Sequence, residues 1–155
     1  MANSIPFSIS VLNRSHKFWL PSLLAPVQRI PLFGHTVPAG FPSPADDYIE
    51  DRLDLNQLLV QNKSATFFLR VKGDSMIHAG IHDGDIIVVD RSVEPVDRAV
   101  VVAVIDGELT IKRLIKRNGE VELHAENPKY APIRFKEGQV LTIWGVVTSS
   151  VHTVK

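Results

Sequence analysis

The chain has 155 residues, with 17 Lys plus Arg against 17 Asp plus Glu and no cysteine. That length suits one domain at about 100 to 200 residues each, and the zero formal charge argues against a broadly basic nucleic-acid-binding surface. The missing cysteines exclude disulfides, thiolate zinc sites and cysteine nucleophiles, and no apolar run approaches the roughly 18 residues of a membrane helix, so a soluble protein is expected.

Charge is uneven along the chain. Residues 1–39 contain Arg14, Lys17 and Arg29 and no acid, so this arm carries +3 and the remainder −3. Pro6, Pro21, Pro26, Pro31 and Pro38 exclude a long helix and predict an extended conformation. A targeting peptide is disfavoured because Pro21 interrupts the apolar stretch 18–24. Phe7, Phe18, Trp19, Leu23, Leu24, Ile30, Leu32 and Phe33 are more apolar than a disordered tail tolerates, which predicts that the arm packs on something.

Three prolines and a glycine between Val37 and Pro44 mark a linker and a boundary. Beyond it, Asp54 can cap a short helix in which Leu55, Leu58 and Leu59 recur at helical spacing, closing near Asn62. The segments 66–71, 85–90, 99–105, 108–115, 120–125 and 140–148 are rich in Val, Ile, Leu and Thr and bounded by turn residues, so they read as strands of an all-β body.

Asp106-Gly107 and Asn118-Gly119 favour two-residue type I′ hairpin turns and so fix register. Pairing Ile105 with Glu108 sets Val101 opposite Lys112; pairing Arg117 with Glu120 brings Ala125 to its other side. Lys112 then shares its face with Ala99, Val101, Ala103, Thr110, Leu114, Leu123 and Ala125, while Arg98, Arg113, Glu122, His124 and Glu126 occupy the other. A β-bulge in either ladder would reverse this assignment. A lysine among apolar neighbours has a lowered pKa and can act as a general base toward a hydroxyl. Ser75, in the turn Gly73-Asp74-Ser75 after the strand 66–71, is the candidate hydroxyl. Such a turn can present a serine and consecutive backbone N–H groups together, here those of Asp74 and Ser75, as a nucleophile and oxyanion hole require. Gly-Asp-Ser is also a common turn composition. His78 and His82 have i, i+4 spacing, but Gly80 and the following strand argue against a helical metal pair. Asp83, Asp85 and Asp90 lack the spacing of a calcium loop, so no metal or cofactor is implied.

The run Gly73 to Asp90 (Gly-Asp-Ser-Met-Ile-His-Ala-Gly-Ile-His-Asp-Gly-Asp-Ile-Ile-Val-Val-Asp) and the run Asp106 to Leu114 (Asp-Gly-Glu-Leu-Thr-Ile-Lys-Arg-Leu) resemble the peptidase domain shared by LexA-type repressors and UmuD-type mutagenesis proteins. Residues 39–50 and 53–59 are similar to the UmuD branch in particular, and the resemblance extends over about 30–147. It implies a mostly β, highly curved, barrel-like peptidase domain at residues 40–155, with one short helix and a cleavable extended arm at residues 1–39. It further implies Ser75 as nucleophile, Lys112 as general base and a scissile bond between Ala39 and Gly40. As partners it implies a second copy of the chain, a recombinase filament on single-stranded DNA as trigger, and an error-prone DNA polymerase in the cytoplasm, without direct sequence-specific DNA binding or membrane attachment. A LexA-like repressor would need a helix-turn-helix ahead of the cleavage site, which 39 residues with five prolines cannot supply. A non-catalytic partner-binding module of the same fold is the alternative, and Ser75→Ala separates the two.

Overall fold

Hairpin chemistry organises the body. Asp106 (φ 50°) with Gly107 (φ 87°), and Asn118 (φ 51°) with Gly119 (φ 80°), adopt the left-handed conformations of type I′ turns. They join β6 (Val100–Ile105), β7 (Glu108–Arg117) and β8 (Glu120–His124) into a meander. The first ladder runs unbroken from Val100 opposite Arg113 to Ile105 opposite Glu108, with Val101 opposite Lys112; the second pairs Arg117 with Glu120 and Arg113 with His124. The register expected from the turn dipeptides holds, but the second ladder stops at His124, one residue short of the expected pair of Ala125 with Lys112.

The computed structural model describes residues 18–19, 27, 29–33, 39–40, 49–135 and 140–154. The remaining described elements are β1 (Phe18–Trp19), β2 (Ile30–Phe33), β3 (Ile49–Leu53), α1 (Leu55–Leu59), β4 (Thr66–Arg70), a 3-10 turn (Ile77–Ala79), β5 (Ile86–Asp90), β9 (Ile133–Arg134) and β10 (Leu141–Val151). Eight strands form one antiparallel sheet in the order β1-β4-β5-β10-β6-β7-β8-β9, and β2 pairs with β3 separately. The protein is therefore mostly β, as expected. The large sheet does not close into a barrel: β1 and β9 stand at its opposite edges, and no described pairing joins them.

β10 lies between β5 and β6 and carries register shifts between Ile143 and Gly145 and between Val147 and Ser149. Extra residues of this kind increase local twist. Gly145 is needed there, since a Cβ would stand 2.6 Å from Val89 Cγ1. Adjacent residues of β6 feed different clusters. Val102 packs with Leu69, Val71, Met76, Ile81, Ile87, Val89 and Trp144, whereas Val101 and Ala103 pack with Leu114, Leu123 and Val146.

Three expectations need correction. The face of the meander opposite Lys112 is not polar throughout. Val100, Val104, Leu109 and Ile111 pack on the first cluster because β4, β5 and β10 supply an apolar partner there. Toward β8 and β9 that face is polar, with Arg113 paired to Glu126 and Glu122 to His124 and Arg134. The helix also ends earlier than expected, at Leu59 and not near Asn62. Asp54 caps α1 by accepting from Asn56 N–H at 2.8 Å, but Leu55 and Leu58 are 54% and 53% exposed while Val60, just past the helix, is buried. One and a half turns are too few for periodicity to select a core-facing stripe.

Of the arm, β1 pairs with β4 (Phe18 opposite Leu69, Trp19 opposite Phe68) and β2 pairs with β3. The described strands of the arm are extended and backbone-paired, but Ile30 and Leu32, expected among the residues that pack, are 59% and 43% exposed. Pro6, Phe7, Pro21, Leu23, Leu24, Pro26 and Pro38 lie outside the described residues.

Candidate active site

Ser75 is placed by a turn whose backbone is anchored at several points. Val71 ends the approach from β4 by exchanging bonds with the start of β5: its N–H donates to Asp85 O at 2.8 Å and its carbonyl accepts from Gly84 N–H at 3.0 Å. Gly73 then reverses the chain at φ 95°, a conformation open to glycine at no steric cost, and donates its N–H to Asp83 Oδ1 at 2.6 Å. Asp74 O accepts from Asn127 Nδ2 at 2.9 Å, and Asp74 Oδ1 accepts from the Tyr130 hydroxyl at 2.5 Å. The Tyr130 hydrogen bond, aided by Lys129, holds the Asp74 carboxyl below the usual carboxylate range despite the opposing effect of desolvation. Met76, 2% exposed, anchors the far side in the first core cluster.

Lys112 enters from β7. It is 8% exposed, and its Nζ donates to Ser75 Oγ at 3.1 Å, Thr110 Oγ1 at 3.1 Å and Ile111 O at 2.9 Å. Burial lowers its pKa from the ordinary lysine value, because desolvation disfavours the ammonium. The two side chains that the sequence singled out, 37 positions apart, are thus in hydrogen-bond contact. Ser75 also lines a cleft, with Val71, Lys72, Met76, Leu109, Thr110 and Ile111.

The remaining candidates are less tightly grouped. Among the described residues the Ser75 N–H makes no hydrogen bond, while Asp74 turns its own backbone N–H toward its carboxylate. Ala39 and Gly40 are exposed at a bend, and no described atom lies within 4 Å of where a Gly40 Cβ would stand. The Ala39-Gly40 bond is therefore outside the cleft in this conformation. His78 and His82 do not pair: the His78 N–H donates to Glu126 O at 2.9 Å, and His82 faces Asp85. Asp83 and Asp90 support turns, the latter by accepting from Ser92 N–H at 2.7 Å.

Sequence reasoning missed Thr110, Asn127 and Tyr130 as parts of this site. Thr110 carried a signal, since i and i+2 on one strand share a face. Asn127 and Tyr130 carried none, because they reach Asp74 from more than 50 residues away.

Residues 31–148 match the family described as peptidase S24-like. The chain belongs to this family. Within it the chain is UmuD-like. It is 45% identical over 131 residues to Protein SamA of Salmonella typhimurium, covering 84% of this chain and 91% of SamA. It is 44% identical over 126 residues to Protein ImpA of Escherichia coli, covering 81% and 85% of the two chains. A LexA repressor 2 from Geobacter sulfurreducens is 43% identical over 113 residues, covering 73% of this chain and 54% of the repressor. The S24-like match spans Ala39, Gly40, Ser75 and Lys112 and leaves out most of the arm. No helix among the described residues is long and apolar enough to cross a membrane.

Proposed function

We propose that this protein is a self-cleaving serine peptidase of the DNA-damage (SOS) response that cuts its own chain between Ala39 and Gly40. Residues 1–39 are the substrate arm and residues 40–155 the peptidase domain. The observation that carries the reading is the contact between Lys112 Nζ and Ser75 Oγ at 3.1 Å beside a cleft.

The chemistry follows from proton counting. A neutral amine has two N–H bonds and one lone pair. With the two N–H groups donated to Thr110 Oγ1 and Ile111 O, the lone pair is left for the Ser75 hydroxyl proton. Ser75 Oγ then attacks the Ala39 carbonyl carbon, and the developing oxyanion accepts from the Ser75 N–H and, once it releases its own carboxylate, the Asp74 N–H. The Lys112 ammonium returns its proton to the departing Gly40 nitrogen. Water, deprotonated by the same amine, then hydrolyses the Ala39 ester and frees Ser75.

The same family kinship supports the wider role. The trimmed form acts as an accessory subunit of an error-prone translesion DNA polymerase in the cytoplasm, the chain functions as a homodimer, and a recombinase filament on single-stranded DNA triggers the cut by favouring entry of residues 39–40 into the cleft. The deciding experiment is intact-mass measurement after incubation at mildly alkaline pH without an activator. Two fragments, residues 1–39 and 40–155, are expected; a product starting elsewhere than Gly40 rejects the site, and no product at any pH rejects self-cleavage by this dyad.

A further inference from the structure

The end of β10 and the turn before β5 bring together three ligand-type side chains that the proposed peptidase chemistry does not use. Asp85 is 3% exposed. Its Oδ2 accepts from His82 N–H at 2.8 Å and Ser150 Oγ at 3.1 Å, and its Oδ1 faces His152 Nδ1 at 2.6 Å. His82 Nδ1 lies 3.8 Å from Oδ2, and the two imidazole rings are 4.8 Å apart between centroids. One ligand atom from each of His82, Asp85 and His152 can be chosen so that all lie within 4.8 Å of one another.

The geometry points to a binding site for a divalent transition metal of the zinc class, formed by His82, Asp85 and His152. Two nitrogens and one carboxylate oxygen are a donor set that such ions take, with bonds of about 2.0 to 2.2 Å. Donors at that distance in a tetrahedral arrangement stand about 3.4 Å apart. The separations of 2.6 Å and 3.8 Å fall on either side of this. With every separation within 4.8 Å, closing on an ion draws inward two imidazoles whose side chains are each 49% exposed. The bonds from the His82 N–H and Ser150 fix the orientation of the Asp85 carboxylate from outside, as partners of a metal-bound carboxylate do. With three protein ligands, the fourth position is left for water or a partner's side chain. His82 and His152 are 70 positions apart, so no spacing in the sequence announces the set.

A bound ion would join the end of β10 to the root of the Ser75 turn, because Asp85 O holds the Val71 N–H and Asp83 holds the Gly73 N–H. The test is titration of the untagged full-length protein with Zn2+ by calorimetry, and with Co2+ by visible absorption, alongside thermal unfolding. One ion per chain, a tetrahedral-type Co2+ spectrum and a raised Tm are expected. His82→Ala and His152→Ala should each weaken binding at least about tenfold, while His78→Ala leaves it unchanged. Self-cleavage of the two weakened variants in metal-free buffer reports that they remain folded. Absence of saturable binding, or binding that survives both substitutions, overturns the assignment.

Discussion

The Ser75 turn and the Ala39-Gly40 bend differ in how the protein holds them. Gly73, Asp74 and Met76 are tied to Asp83 in the turn before β5, to Asn127 and Tyr130, and to the core, and Ser75 meets Lys112 at 3.1 Å. Gly40 has no described neighbour within 4 Å of its missing Cβ. The contrast teaches that the proposed chemistry starts from an assembled Ser75–Lys112 pair to which residues 39–40 must still be brought.

Breaking the assembled side gives the largest effect. Ser75→Ala, Lys112→Ala and Lys112→Arg are each expected to leave less than about 1% of wild-type self-cleavage, since nucleophile and base act as a unit and a guanidinium cannot be deprotonated in a protein. Gel densitometry with circular dichroism as a folding control measures this. The pH profile comes next. Below the Lys112 pKa the rate should rise about tenfold per pH unit and then level off at a pH below the ordinary lysine value of 10.5. The same depressed pKa bears on stability. The unfolded chain holds the lysine proton more tightly, so stability rises with pH between the folded-state pKa and 10.5, and Ser75→Ala should show this in denaturant melts.

Thr110→Val tests whether Lys112 is oriented as well as buried. Losing one hydrogen bond of about 1 kcal/mol predicts a slowing of roughly fivefold, and the pH midpoint should move because the Lys112 environment changes; a purely structural role would alter the melting temperature and leave the midpoint in place. The smallest effect belongs to the unheld side. Gly40→Ala meets open space and should change stability by less than about 0.5 kcal/mol, whereas Gly145→Ala, with Val89 in its way, should destabilise by about 1 to 3 kcal/mol.

What the sequence made legible was mostly local. Asx-Gly dipeptides carry their own φ preference, so two turns sufficed to place Lys112 on a middle strand opposite Val101. β3 escaped notice because Ile49-Glu50-Asp51-Arg52-Leu53 has no apolar alternation, and it pairs with β2 from across the linker. The His82–Asp85–His152 group escaped because its members meet only when β10 lies beside β5. The polar face assigned opposite Lys112 failed where β4 and β5 cover it, since a strand pattern shows what a face carries and not what packs on it.

The position of β10 has a consequence for the timing of synthesis. β5 and β6 are not neighbours, and in the large sheet the half β1-β4-β5 is joined to the half β6-β7-β8-β9 through β10 alone. Ser75 follows a strand of the first half and Lys112 lies on a strand of the second. While residues 141–151 are still inside the ribosome, neither half has its seam, and the long-range pairing that makes it is a slow class of folding event. A nascent chain therefore holds the two sheet halves together through side-chain packing and bonds such as those from Asn127 and Tyr130 to Asp74, and the backbone seam beneath the proposed dyad closes once synthesis has passed β10.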